Sequence, residues 1–313
     1  MSSAPVPALS VCVLAYNHAK LLPDVVQSIL AQQFGDFELL LSDDCSSDDT
    51  WACIQQLAAS DPRVRPLRTP RNLGMAAHAN FAFQHCRADL IALLHHDDIC
   101  EPSLLGEWFA VAQKYPDVAF VSNGYRKYHT REVQCEALPE WNDGPELMRK
   151  RLLPLFGSPF RGTALIRRTC WDAVGGMREQ FGMLADVDLW MRLAARWPVG
   201  YVAKPLIVVR HERPEDYPSA YKGWSWSRLR LGHEIYGQNH REFYGRDSLR
   251  ARTLLLWYRV RVSYSVSYWL AYAIYKRRWE MLANSQDVAS EYELLPEKLV
   301  RQALARCAQL AIS

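Results

Sequence analysis

No two cysteines of this chain stand in a CxxC pair, although eight are present, at positions 12, 45, 53, 86, 100, 135, 170 and 307. Several lie inside apolar runs (Cys12, Cys53, Cys86), so the sequence argues against a disulfide framework or a zinc site and for small reduced core thiols. That usage fits a cytoplasmic location. The N-terminus MSSAPVPALS lacks a basic n-region and an apolar h-region and is not expected to be a secretory signal. Long hydrophobic runs are missing as well. The best candidate span, 253–275, is interrupted by Arg259 and Arg261, and its unbroken part, 262–275, is rich in Ser and Tyr and shorter than the about 20 apolar residues a bilayer requires. Near the N-terminus, LAYNHAKLL is no glycine-rich basic phosphate loop, which counts against a nucleotidyltransferase. Strong net charge is absent too: +3 over 313 residues names no partner.

What is present is an alternation of apolar runs and helix-period segments. Strands are expected at 9–14, 37–41, 64–67, 90–94 and 118–122. Helices are expected at 21–33, 50–59, 74–85 and 103–114 between them. Helices of this length between strands make βαβ units and a mostly parallel sheet with right-handed crossovers. From about 125 to 160, Pro139, Gly144, Pro145, Pro154, Gly157 and Pro159 predict loops. A strand at 162–166, a turn at Gly175-Gly176, a helix at 186–196 and a strand at 201–210 follow. Beyond Ser219 the chain reads as helical. There is no internal repeat.

In parallel α/β sheets a ligand sits at the carboxyl ends of the strands. Three polar clusters follow strands here: Ala15-Tyr16-Asn17, Asp43-Asp44 and Asp97-Asp98. The last pair is the most informative, because it follows the apolar run 90–94 and adjacent carboxylates repel unless a cation sits between them and a ligand. A hard divalent metal holding a diphosphate meets that need.

The segments LSVCVLAYNHAKLLPDVVQSILAQQFGDFELLLSDDCSSDDT, RNLG, ALLHHDDI, VGGM, ADVDLWMRL and KPLIVVRHE occur in that order over roughly 8–212. Together they resemble the family 2 inverting glycosyltransferases of the glycosyltransferase-A fold. The resemblance implies an α/β catalytic domain over 1–215 and leaves 216–313 as a helical, basic and aromatic C-terminal region. It implies transfer of a sugar from a nucleotide-diphosphate sugar, UDP favoured, to an acceptor hydroxyl of a glycan or lipid-linked precursor, in bacterial surface glycan assembly. A catalytically silent nucleotide-sugar binder or scaffold of the same fold is the alternative.

Residue by residue, the resemblance sets Tyr16 against the face of the base, Asp44 on its edge and Asp97 toward the ribose. Arg71 is a candidate for the base or a phosphate, Asp98 for Mn²⁺ or Mg²⁺, and His211 for the metal or the diphosphate. Asp186 is the candidate general base, at or beside the N-cap of its helix, while Asp188 pairs with Arg192 four residues on. The chain departs from the family pattern at His95, where an Asp is common, and at Ala185, where a Glu is. A nitrogen ligand from His95 or His96 favours Mn²⁺.

Between Lys222 and Glu280 twelve Lys/Arg face four Asp/Glu, and 221–279 carries five Trp and eight Tyr. Two readings stand: a helix lying on an anionic bilayer at the inner face of the cytoplasmic membrane, or a helical subdomain or homo-oligomer interface that packs its aromatics inward. No nucleic-acid motif is present.

Overall fold

A computed structural model of the chain describes residues 5–155, 158–210, 226–245, 249–276, 278, 281, 285 and 295–312. They fall into two compact units divided between Arg213 and Pro214.

The first unit is built on one ten-stranded sheet. Strands β1 (Leu9–Ala15), β2 (Phe37–Asp43), β3 (Val64–Arg68) and β4 (Leu90–His95) run parallel in the order β3-β2-β1-β4. Helices α1 (Leu22–Leu30), α2 (Thr50–Ser60) and α3 (Met75–His85) connect them. β1, β2 and β4 are buried along almost their whole length, as expected of strands covered by helices on both faces. The two-residue β5 (Ile99–Cys100) and helix α4 (Leu104–Lys114) come next, and α4 seats Trp108 in the core with no exposure.

Strand β6 (Phe120–Lys127) continues through positions expected to be loop. The short β7 (Val133–Gln134) and β8 (Trp141–Asn142) follow, then α5 (Gly144–Leu147), a π-helical turn at Met148–Leu152 and α6 (Leu153–Leu155). The next strand, β9 (Ala164–Arg167), inserts antiparallel between β4 and β6, with Ala164 opposite Leu93 and Arg167 opposite Leu90. Its first residues therefore lie at the carboxyl end of β4. Helix α7 (Arg168–Val174), a 3₁₀ turn at Glu179–Leu184 and helix α8 (Ala185–Ala194) lead to β10 (Val199–Val209), parallel to β6.

The Gly175-Gly176 pair ends α7 with both residues left-handed, at φ +75° and +68°. A Cβ on Gly176 would come within 2.5 Å of Asn80 Oδ1, and Asn80 itself exchanges two 2.9 Å hydrogen bonds with the Met177 backbone. This clamp on α3 sets where α8 begins. Trp190, fully buried and 4.8 Å from Phe120, holds α8 to the sheet. α8 starts at Ala185, so Asp186 stands in the first helical turn and Leu184 is the cap, without a side-chain bond. The helix thus starts one residue earlier than the expected 186, directly on the 3₁₀ turn.

In the second unit α9 (Trp226–Tyr244), α10 (Leu249–Tyr275) and α11 (Leu295–Ile312) are helical, and α10 packs against both others. No described helix is long and apolar enough to cross a membrane. Among the described residues no disulfide is formed.

Candidate active site

The ends of β1, β2 and β4 meet on one rim because their registers align: Leu14 lies opposite both Ser42 and His95. Tyr16 emerges there partly exposed. Asn17 adopts the left-handed φ of +53° and joins two loops, donating its backbone N–H to Ser46 Oγ at 2.9 Å and accepting the Ser47 N–H at 2.9 Å.

The two acids after β2 do different work. Asp43 turns inward, 3.0 Å from Arg68 Nε, and accepts from Ser46. Asp44 accepts from Thr69 Oγ1 at 3.0 Å and from the backbone N–H groups of Leu73 at 2.8 Å and Gly74 at 2.9 Å. It therefore fixes the Thr69–Gly74 loop and the entry to α3. A carboxylate has about four acceptor positions, so one remains for an outside N–H. Arg71 is exposed on this loop.

At the end of β4, ligand atoms of His95, Asp97 and Asp98 all lie within 4.8 Å of one another. Asp98 is buried. Its Oδ2 pairs with Arg161 Nη2 at 2.9 Å and faces His95 Nδ1 at 3.6 Å, while its Oδ1 is buried without a partner. A buried carboxylate oxygen left unpaired costs about 1–3 kcal/mol. A hard cation relieves that cost, and the oxygen-rich donor set with one imidazole fits Mn²⁺ or Mg²⁺. Burial opposes ionisation of Asp98, yet His95 and Arg161 hold its carboxyl below the usual range. Burial likewise opposes the charged His95 ring, but Asp98 and Asp97 outweigh it and raise its pKa. His96 behaves oppositely. Burial pushes it down to about 4, its Nδ1–H donates to Leu14 O at 2.7 Å, and its ring lies 3.9 Å from that of His18.

Asp186 comes to the same place from α8. Burial raises its pKa. A Cβ built on Gly162 would lie 2.6 Å from His95 Nε2 and 2.9 Å from Asp186 Oδ2, so the base candidate and the metal-side histidine converge over a bare backbone. Asp188 is fully buried and bound to Arg192 Nε at 2.7 Å, while Arg192 also donates to the carbonyls of Val174 and Gly176. That network anchors α8 and leaves Asp186 on the side of Gly162 and His95.

Three residues of this site escape sequence reasoning: Arg161, Gly162 and Arg210. Arg210 donates to the Asp97 carbonyl at 2.8 Å, to Asp24 Oδ2 at 2.9 Å and to Leu21 O at 3.1 Å, tying the end of β10 to the acidic loop. Its neighbour His211, expected near the metal, lies outside the described residues.

Such a sheet is shared with known proteins. The family model for glycosyl transferase family 2 matches residues 10–172, and the chain belongs to that family. It is a glycosyltransferase of the glycosyltransferase-A fold. It is 27% identical over 200 residues to the chondroitin synthase of Escherichia coli, covering 64% of this chain and 28% of that enzyme. Another curated relative is covered for only 20% of its length. The Staphylococcus aureus TarS 1–349 structure with UDP-GlcNAc superposes with a TM-score of 0.65 at 14% identity, over 97% of this chain and 88% of that one. The mannosyltransferase PcManGT of Pyrobaculum calidifontis, solved with GDP-Man and Mn²⁺, gives 0.54 at 17%, over 98% and 87%.

Proposed function

We propose that this protein is a metal-dependent inverting glycosyltransferase that moves a sugar from a nucleoside-diphosphate donor, UDP favoured, to a hydroxyl of a bacterial surface glycan or its lipid-linked precursor. The observation that carries the reading is the meeting of Asp186 and His95 over Gly162, with Asp98 facing the other side of the His95 ring, one carboxyl raised in pKa and the other buried and half-paired. Tyr16 offers a ring for stacking on the base, and the remaining acceptor position of Asp44 suits the N–H of a pyrimidine. Asp97 is the candidate for the ribose and Arg71 for the base or a phosphate. Relatedness to chondroitin synthase supports a polysaccharide acceptor, and TarS with UDP-GlcNAc supports the UDP preference.

Asp98, Asp97 and His95 are the residues to hold a divalent ion, which when bound supplies positive charge to the departing diphosphate. Asp186 accepts the proton of the acceptor hydroxyl as its oxygen bonds to the anomeric carbon. The bond from that carbon to the diphosphate oxygen breaks, and the electron pair leaves with the nucleoside diphosphate. A single displacement by the acceptor oxygen inverts the anomeric carbon. Release of nucleoside diphosphate from a panel of UDP-, dTDP- and GDP-sugars, with and without Mn²⁺, tests the reading. Mn²⁺-stimulated release from UDP-sugars is expected, and no release from any donor overturns it in favour of a silent binder.

A further inference from the structure

Helix α10 carries large aromatic residues on the side turned away from its packed face. Ser263, Val266, Leu270 and Ala273 form its covered face. On the opposite face Trp257 is 66% exposed, Tyr264 74%, Tyr268 55% and Tyr275 78%. Successive helical residues turn by about 100°, so these four aromatics fall within about 40° of arc, in one line along the helix. Leu256, Val260 and Ile274 flank them, all exposed. An apolar line of this length on a described surface needs a partner.

The chemistry of the line selects the partner. Trp and Tyr are the side chains that settle at the boundary between lipid headgroups and acyl chains. The 27 residues of α10 include four Arg and no Asp or Glu. Just beyond it, exposed Lys276 stands 4.9 Å over the Tyr275 ring, and exposed Arg278 stands 5.7 Å over Tyr272. The exposed cations at this end of the face meet no acid among the residues of α10, so a second copy of the same face would oppose them with like charge. An anionic surface is complementary instead. At about 1.5 Å per residue the helix is about 40 Å long, and the aromatic line runs along its C-terminal two thirds.

We infer that the exposed Trp257–Tyr275 face of α10 docks the protein on an anionic phospholipid surface, lying flat in the headgroup region. These four residues are exposed, whereas Tyr236 of α9 is buried. The inference stands apart from the sugar-transfer reading, since lipid binding is measured without donor or acceptor.

The test is sedimentation of the full chain with vesicles of phosphatidylcholine alone and of phosphatidylcholine mixed with phosphatidylglycerol. The comparison variant replaces Trp257, Tyr264, Tyr268 and Tyr275 together by Ser. All four are exposed, and an unchanged far-UV circular dichroism spectrum and thermal midpoint show that the fold is kept. Expected is binding to the mixed vesicles, weakened by salt and reduced at least about tenfold in the variant. Equal binding to both vesicles, no binding to either, or unchanged binding by the variant overturns the inference. So does a wild-type dimer that the variant converts to monomer with no lipid affinity, which identifies a second copy as the occupant.

Discussion

Arg161 Nη2 lies 2.9 Å from Asp98 Oδ2, so the guanidinium already provides part of the positive charge that this buried carboxylate requires. Removing it leaves Asp98 facing the His95 ring at 3.6 Å. Arg161→Gln is therefore expected to lower the thermal midpoint in the absence of divalent ions, by an amount corresponding to the about 1–3 kcal/mol of a buried acceptor left unsatisfied. Mn²⁺ should restore more stability to the variant than it adds to the wild type. Thermal shift with and without Mn²⁺ measures both, and an identical Mn²⁺ response in the two proteins would count against Asp98 as a ligand.

Asp186→Asn should lower kcat by about 10²–10⁴-fold while donor binding persists. The pH profile carries the sign. The base works ionised, and burial raises its pKa, so the rate falls as pH drops through a value above the ordinary carboxylate pKa of about 4. An acid limb at or below that ordinary value would remove Asp186 from the role.

Gly162→Ala puts a methyl group 2.6 Å from His95 Nε2 and 2.9 Å from Asp186 Oδ2. One or both side chains must shift, and displacements of that order cost up to about 10²-fold in rate. The expected result is a large drop in kcat with little change in thermal midpoint. A fully active alanine variant would show that the convergence of His95 and Asp186 has no part in turnover.

His96 offers a stability test. Its folded pKa is depressed to about 4, from an ordinary value of 6.5. The unfolded chain takes up this proton as pH falls below about 6.5 and the folded chain does not, so the contribution is complete above that pH and is lost progressively down to about 4. His233, likewise pushed down to about 4 by burial, adds the same slope. Urea midpoints from pH 7 to 4 should therefore decline less steeply in His96→Asn than in the wild type. Parallel curves would refute the assignment.

The chain order of strands and helices was legible because each βαβ unit announces itself through local periodicity. The antiparallel insertion of β9 was not, since strand order depends on pairing between residues about 70 apart in sequence. That insertion brings Arg161 and Gly162 to the rim, so nothing in SPFRGTAL marked them. The acidic pair after β2 shows the same limit at finer scale. Asp43 and Asp44 are indistinguishable in sequence, yet one turns to Arg68 and the other to the Leu73 and Gly74 amides. Asp188 with Arg192 was readable because a helix places residues four apart together. The bounds of α8 were not, because the 3₁₀ turn before it depends on contacts with α3.

At its far end β9 passes directly into α7, where Arg168 donates to the carbonyls of Phe83, Cys86 and Ala88. One short strand is thus bolted to the C-terminal end of α3 while its other tip is presented beside Asp98. Such a strut divides labour along one strand: the Arg168 end grips α3, and Arg161 and Gly162, just ahead of the other tip, inherit that rigidity where they meet Asp98, His95 and Asp186.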